Sequence, residues 1–166
     1  MTTIRLAHTV PVNPPGATPV LTEAQVFAGF QRKIRRPQDF VPAIAACNVL
    51  SDADGVVTRE VTFKPTPGTG GDRPLVATEV CTELPPHRVD FAMDNGSTVL
   101  NIVSAGSSAA PTDLYVTYVF AWKHDDLEEG SAAYEEAEAG HKKVAKMAVE
   151  SSIAMTRRLV SEGEIQ

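Results

Sequence analysis

The last thirty-odd residues constrain the fold most, because they form a long helical pattern without proline that follows a series of strand patterns. This segment reads EGSAAYEEAEAGHKKVAKMAVESSIAMTRRLV and predicts a helix over residues 131–160. Such a helix spans roughly 45 Å at 1.5 Å per residue, which is longer than a typical strand. We therefore expect it to lie across a sheet.

The apolar face of this predicted helix is rich in small residues. A three-four spacing places seven residues on one face, namely Ala137, His141, Val144, Ala148, Ser151, Met155 and Leu159. A helix that packs on a sheet usually carries larger apolar side chains there, so these residues leave volume between helix and sheet. We expect either large sheet residues or a ligand cavity to occupy that volume.

Length and charge narrow the class of protein. The 166 residues suit a single domain over 1–166, which buries on the order of 70% of its unfolded surface. The net charge of -6 argues against nucleic-acid binding, because phosphate neutralisation needs a basic face. The only basic run is interpreted as the solvated side of a helix and consists of Arg32, Lys33, Arg35 and Arg36.

The cysteines and the apolar runs predict a cytoplasmic protein. Cys47 and Cys81 are the only cysteines and lack CxxC spacing, which favours reduced thiols. The N-terminus has no long apolar run, and no segment approaches eighteen apolar residues. We therefore expect neither secretion nor a membrane span.

The first third of the chain predicts one strand and two helices. Residues 3–12 alternate, with Ile4, Leu6, His8 and Val10 on the apolar side of a half-buried strand. A capping box of Thr22 and Gln25 then begins a helix that ends at Pro37. A second short helix is predicted through Phe40, Val41 and Ile44.

From residue 47 onward the apolar period drops to two, which indicates strands. Turn signals such as Asp54-Gly55 and Asn95-Gly96 separate them, and the short connections predict an antiparallel meander. The predicted strands are 47–51, 56–63, 75–84, 87–94, 98–104 and 113–123.

This order of elements is that of the α+β helix-grip fold, and the chain resembles the SRPBCC or START-like superfamily. There a curved antiparallel sheet of about seven strands wraps a long C-terminal helix around a hydrophobic cavity. Within it, the chain is similar to the AtaL-like family, a domain of unknown function. The similarity is carried by FAGFQRKIRRPQDFV within 26–41, by the hairpin GVVTREVTF, and by tyrosine and alanine positions of the last helix.

The resemblance implies a domain that binds a small, apolar, oxygenated biosynthetic intermediate. It implies cofactor-independent cyclisation, isomerisation or dehydration in secondary metabolism, with a non-catalytic carrier as the alternative. Whether the chain is an enzyme therefore stays open, as does the choice between monomer and homodimer.

Sequence motifs predict no cofactor and no metal. The glycine run at 68–71 lacks the GxGxxG and Walker spacings, and no serine lies in a GxSxG motif. The four histidines show no HxxxH or HxH pairing, and they are His8, His87, His124 and His141.

Candidate catalytic residues come from the predicted inward faces. His8 and His141 are expected to converge between the first strand and the last helix, where burial brings a histidine pKa near working pH. Tyr118 is expected inward on the last strand with Phe120 and Trp122, and its phenol needs a partner when buried. A packing role is the competing interpretation for all of these residues.

Two further polar positions depend on strand register. Arg59 shares a side with apolar neighbours, although the opposite register turns Glu60 inward, and a buried Arg59 demands an anion or carboxylate. Glu79 points inward or outward according to the core set of its strand, and we favour outward. The predicted ligand-binding residues are Arg59, Asn101, Trp122, Phe120, Val144, Ala148, Ser151 and Met155.

Overall fold

The computed structural model describes residues 1–64 and 75–166, which form a seven-stranded antiparallel sheet, two α-helices and one 3-10 helix. The glycine run at 68–71 lies outside the described residues. The strands are β1 (Thr2–Pro11), β2 (Ile44–Ala53), β3 (Val56–Phe63), β4 (Leu75–Leu84), β5 (Arg88–Met93), β6 (Thr98–Ala105) and β7 (Leu114–His124). The helices are α1 (Glu23–Arg35), the 3-10 helix (Pro37–Asp39) and α2 (Ala132–Ser161).

The sheet order is β1-β7-β6-β5-β4-β3-β2, and every neighbouring pair is antiparallel. Strands β2 to β7 follow one another as a meander, and β1 forms the edge strand beside β7. Helix α2 packs across β1 and β7, and α1 packs against α2. This arrangement confirms the predicted helix-grip fold. None of the described helices combines the length and apolarity needed to cross a membrane.

Local signals explain where the helices begin. The Gln25 N–H donates to Oγ1 of Thr22 at 3.2 Å, and the Thr22 N–H donates to Oε1 of Gln25 at 3.0 Å, which completes the predicted capping box. The N-cap of α2 is Ser131, whose Oγ accepts from the Tyr134 N–H at 3.2 Å.

The predicted second helix is wrong in its extent. Only three residues form a 3-10 helix, and it begins at Pro37, where a missing N–H costs nothing. Ile44 instead opens β2 opposite Phe63, because pairing with β3 satisfies its backbone groups. The side chain of Phe40 is buried beside the end of α2.

The core has a main cluster between the sheet and both helices, and a smaller one near the C-terminus. Helix α1 contributes Val26, Phe27, Phe30 and Ile34 to the main cluster. The smaller cluster consists of Phe40, Leu159 and Ile165. Helix α2 therefore contacts the sheet through its middle and the 3-10 helix through its last turns.

The predicted inward face of α2 is wrong by about one residue. Val144 is 44% exposed, and Ala148 is only half-buried at the flank of the buried stripe. Val149 and Ile153 lie inward because burying their larger apolar side chains stabilises the fold more, at about 0.8 kcal/mol per methylene. The buried residues of α2 are Ala145, Val149, Ser152, Ile153, Thr156 and Leu159.

Candidate functional site

Four polar side chains from four elements meet in the core, and we call them the interior polar cluster. They are Lys33 of α1, Asn101 of β6, Tyr118 of β7 and Ser152 of α2, with exposed fractions of 8%, 0%, 0% and 2%. Lysine and asparagine are rarely this buried without a function or a partner. The cluster is therefore a candidate site for ligand binding or catalysis.

The sheet register and the helix packing bring these residues together. Asn101 and Tyr118 are directly opposite one another in the β6–β7 ladder, so their side chains share the inner face. The Nζ atom of Lys33 lies 4.3 Å from the centre of the Tyr118 ring and 5.6 Å from that of Phe91. The Ser152 hydroxyl neighbours that of Tyr118 from the helix side.

Four polar atoms of the cluster make no hydrogen bond of normal geometry within the described residues, although the hydroxyls of Tyr118 and Ser152 are neighbours. This holds for both amide atoms of Asn101 and for the hydroxyls of Tyr118 and Ser152. Leaving a buried polar group unsatisfied costs about 1–3 kcal/mol each, so the fold retains these groups against its own stability. A polar ligand atom placed among them would satisfy them.

Burial also changes the protonation of the cluster. Burial, helped by the nearby Arg59 cation and opposed by Glu79, lowers the pKa of Lys33 to about 7. Burial raises the pKa of Tyr118 well above its usual value, and the nearby Ser152 hydroxyl opposes the rise. Near pH 7 the cluster therefore holds a protonated phenol beside an amine that is partly neutral.

A buried ion pair lies next to the cluster. Arg59 and Glu79 are 3% and 4% exposed, and Nε of Arg59 lies 2.8 Å from Oε2 of Glu79. The Nη1 group of Arg59 donates to the main-chain carbonyls of Lys33 at 2.9 Å and Ile34 at 2.5 Å. Protein atoms thus supply the carboxylate that a buried arginine requires.

The prediction that Glu79 points outward is wrong. Val76 and Val80 are 49% and 40% exposed, so the apolar set that competed with Glu79 faces solvent. The ion pair explains this outcome, because a register that buried the valines would leave Arg59 without a counter-ion. Arg59 itself lies inward, as its apolar neighbours on β3 indicate.

The predicted convergence of His8 and His141 is also wrong. The Nε2 atoms of His141 and His124 are 2.9 Å apart, and the His141 ring stacks on Trp122 with centroids 4.1 Å apart. Trp122 in turn stacks on Phe120 at 4.4 Å. Burial, then the His124 neighbour, lowers the pKa of His141.

The β1–β7 register explains why the two histidines separate. His8 is opposite Tyr118, whereas Ile4 is opposite Trp122, on which His141 stacks. Four residues along a strand correspond to about 13 Å. His8 is half-buried beside the interior polar cluster, and His141 belongs to a separate aromatic stack at the far end of β7.

Two of the remaining residues predicted on the helix, Ser151 and Met155, lie toward the 3-10 helix. Ser151 Oγ lies 3.3 Å from the carbonyl of Ala148 and 3.4 Å from that of Phe40, and it donates to them. Met155 packs against the smaller core cluster. Ser151 and Met155 therefore lie away from the interior polar cluster, whereas Ala148 packs against the main core cluster that contains Tyr118.

Sequence reasoning missed Lys33 and Ser152. The basic run predicts that Lys33 lies on the solvated side of α1 with the neighbouring arginines, yet it follows Phe30 by three residues and Val26 by seven. That spacing places it on the apolar face of the helix. Ser152 follows Val149 by three residues and could have been found in the same way.

Two clefts in the described surface are lined by residues other than Ala148 and Ser151. One of about 620 Å³ is lined by residues including Asn13, Asp113 and Tyr115. Another of about 320 Å³ lies between β1 and α2 and reaches Ile153. An interior cavity beside Ala148 stays a prediction.

The family of the chain follows from its sequence match over nearly the full length. A family model described as acetylaranotin biosynthesis cluster protein L, AtaL, matches residues 6–163. The chain belongs to the AtaL family. A protein of that name from Aspergillus terreus (strain NIH 2624 / FGSC A1156) is 24% identical over 164 residues, which cover 99% of this chain and 94% of the relative.

Solved structures share the fold of this AtaL-family protein at low identity. The di-domain ARO/CYC StfQ from the steffimycin biosynthetic pathway has a TM-score of 0.70 at 10% identity, over 98% of this chain and 52% of StfQ. This chain thus spans about half of StfQ. The Zhui aromatase/cyclase from Streptomyces sp. R1128 has a TM-score of 0.63 at 15% identity, over 96% of each chain. The KanY protein has a TM-score of 0.65 at 16% identity, over 94% of this chain and 99% of KanY.

Proposed function

We propose that this protein binds a small, largely apolar, oxygenated biosynthetic intermediate inside the helix-grip domain. The proposed activity is cofactor-independent cyclisation, isomerisation or dehydration in secondary metabolism, carried out in the cytoplasm by a monomer or homodimer. One observation carries the proposal: among the described residues, amide and hydroxyl atoms of Asn101, Tyr118 and Ser152 in the interior polar cluster have no hydrogen-bond partner.

The composition of the interior supports this proposal. Small-molecule sites are mostly apolar enclosures in which a few polar groups fix the orientation of the ligand. Here Phe91, Phe120 and Val103 supply apolar surface near the polar cluster. The names of StfQ and Zhui, which describe aromatase/cyclases, agree with ring-forming chemistry on this fold.

The proposed roles follow from the chemistry of each group. The Tyr118 phenol stays protonated and would donate to a ligand carbonyl oxygen, while Asn101 would orient the same end of the ligand. His8, opposite Tyr118 in the sheet, would move a proton. His141, Trp122 and Phe120 would offer stacking surface to a second part of the ligand.

The proposal is tested by ligand retention and turnover. Protein purified from its native host is analysed by native mass spectrometry, and a retained small molecule is expected. A matched pair of variants then separates catalysis from binding: Tyr118→Phe removes the buried hydroxyl, and Tyr115→Phe removes an exposed one on the same strand.

Catalysis predicts that Tyr118→Phe slows turnover of the retained compound while Tyr115→Phe does not. If the native protein retains the compound and converts none of it, the carrier function stands instead. If no small molecule is retained and no candidate intermediate raises the melting temperature, the binding proposal fails.

A further inference from the structure

Lys33 is a buried cation that the proposed roles leave unused. It is 8% exposed, and its Nζ atom lies 4.3 Å from the centre of the Tyr118 ring. Its Nζ atom contacts the faces of Tyr118 and Phe91 instead of a carboxylate. A lysine in this setting is costly to bury, which points to a use for its amine.

The fold holds Lys33 in this position from its backbone. The Nη1 group of Arg59 binds the main-chain carbonyls of Lys33 and Ile34, which fixes the last turn of α1 against the sheet. One turn earlier, Gly29 allows α1 to approach Thr156 of α2 so closely that an added Cβ would collide with it. The amine is therefore positioned by rigid elements rather than by a loop.

The surroundings of the amine favour its neutral form. Desolvation and the Arg59 cation lower the pKa of Lys33 to about 7, while Glu79 and Cys81 act in the opposite direction. Glu79 is already paired with Arg59, and burial raises the pKa of Cys81 to about 12, so that thiol stays neutral. A desolvated lysine beside a second cation is an established way to activate an amine as a nucleophile.

We propose that the ε-amino group of Lys33 forms a Schiff base with an aldehyde or ketone group of the ligand, a role that rests on the proposed binding of that ligand in the interior. The neutral amine attacks the carbonyl carbon, a C–N bond forms, and the C=O π pair moves to oxygen. A proton passes from nitrogen to that oxygen, water then leaves to give the neutral imine, and the imine nitrogen takes up one proton from solvent to become the iminium.

The interior polar cluster supplies the groups that this step needs. The Tyr118 hydroxyl and the Asn101 amide would donate to the oxygen as it gains charge and then departs as water. Addition of water to the iminium reverses the sequence and releases the carbonyl compound. The step consumes no oxidant or reductant.

A reductive trapping experiment tests the proposal. The folded protein is incubated with benzaldehyde and sodium cyanoborohydride at pH 7, and peptide mapping by mass spectrometry locates the benzyl group. An amine with a pKa of about 7 is half neutral at this pH, whereas an ordinary lysine is neutral in roughly one molecule in three thousand. We expect labelling of Lys33 on the order of a hundredfold faster than of exposed lysines.

Matched variants and a second probe complete the design. Lys33→Arg is expected to lose the fast label, whereas Lys142→Arg, at an exposed position, is expected to keep it. Labelling that is slow at Lys33 or equal at all lysines overturns the proposal. Peptide mapping of the unmodified protein compares the labelling of Lys33 with that of the other lysines even if Lys33→Arg fails to fold.

Benzyl alcohol separates failure of this inference from failure of the proposed function. It matches benzaldehyde in shape but cannot form a Schiff base. If both compounds raise the melting temperature and Lys33 is not labelled, the Schiff base is wrong and interior binding stands. If neither compound binds and Lys33 is not labelled, both proposals fail for this class of ligand.

Discussion

Arg59 donates a hydrogen bond from Nη1 to the main-chain carbonyl of Lys33, with 2.9 Å between nitrogen and oxygen. The same guanidinium pairs with Glu79 and helps to lower the pKa of the Lys33 amine. Arg59 thus holds the end of α1 in place and helps to keep the Lys33 amine partly neutral. The stability of this region and the protonation of its amine are therefore linked.

Removing the carboxylate of this ion pair should destabilise the fold strongly. Glu79→Gln leaves Arg59 buried without a counter-ion, and breaking a buried pair in this way costs about 3–5 kcal/mol. The control is Asp90→Asn, which breaks the partly exposed pair of Asp90 with Arg88 and should cost less than about 1 kcal/mol. Urea unfolding measures the loss of unfolding free energy in both variants. Equal losses would show that the buried pair stabilises the fold no more than the partly exposed pair does.

The buried amine should give the protein a distinctive pH dependence. The pKa of Lys33 is about 7 in the folded state against an ordinary 10.5, so between these values the unfolded chain binds a proton that the folded chain does not. Stability therefore increases with pH in this window. From pH 7 to 8.5 the free energy of unfolding should rise by about 1–2 kcal/mol on account of this group.

The variant Lys33→Met isolates that contribution. The difference in unfolding free energy between the unmodified protein and Lys33→Met is measured at both pH values, so that all other titrating groups cancel. Lys142→Met is the matched control at an exposed position. A difference that does not change between pH 7 and 8.5 would contradict the lowered pKa of Lys33.

An unsatisfied hydroxyl should make the ligand-free protein less stable than it could be. Tyr118→Phe removes a buried O–H that has no partner among the described residues, and the expected gain is about 1 kcal/mol. Tyr115→Phe, on the exposed side of β7, should change stability by less than about 0.5 kcal/mol. A clear loss of stability in Tyr118→Phe, measured by urea unfolding, would mean that its hydroxyl is satisfied.

The sequence predicts the frame of this fold well because its signals are local. The Thr22 and Gln25 capping box, the turn at Asp54-Gly55 and the alternation over β3 each depend on residues close in the chain. The predicted bounds of 56–63 and 75–84 match β3 and β4 to the residue. Such signals establish where each element begins and ends without reference to the rest of the molecule.

The site depends on pairings between distant segments, and there sequence reasoning is weaker. Glu79 lies inward because Arg59, twenty residues earlier, needs a carboxylate, and strand periodicity alone does not contain that requirement. His141 meets His124 rather than His8 because the β1–β7 register sets which residues the helix crosses. The periodicity of a strand or helix shows which face a residue occupies, but it does not show which residue of another segment that face contacts.

The single tryptophan should report on its stacked histidine. Trp122 and His141 have ring centres 4.1 Å apart and nearly parallel planes, and a protonated imidazole in this position quenches indole emission. Burial and the His124 neighbour hold the pKa of His141 below its ordinary 6.5. Fluorescence should therefore fall on acidification with a midpoint below about 6.5.

Two substitutions assign this signal. His141→Gln should abolish the acid quenching, and His87→Gln, at an exposed turn, should leave it intact. Quenching that persists in His141→Gln would assign the effect to another group and would argue against the stack of Trp122 and His141.

The close approach of the two helices should be essential to the interior. A Cβ added at Gly29 collides with Thr156 of α2, so Gly29→Ala must push α1 away from α2 and should cost about 1–3 kcal/mol. Gly140→Ala is the matched control, because that glycine of α2 faces open space and the same change should stabilise by up to about 1 kcal/mol. Thr156→Ala should recover part of the Gly29→Ala loss by removing the colliding atoms. If Gly29→Ala melts no earlier than Gly140→Ala, the helices do not approach as closely as described, and the contact of Lys33 with Tyr118 needs another explanation.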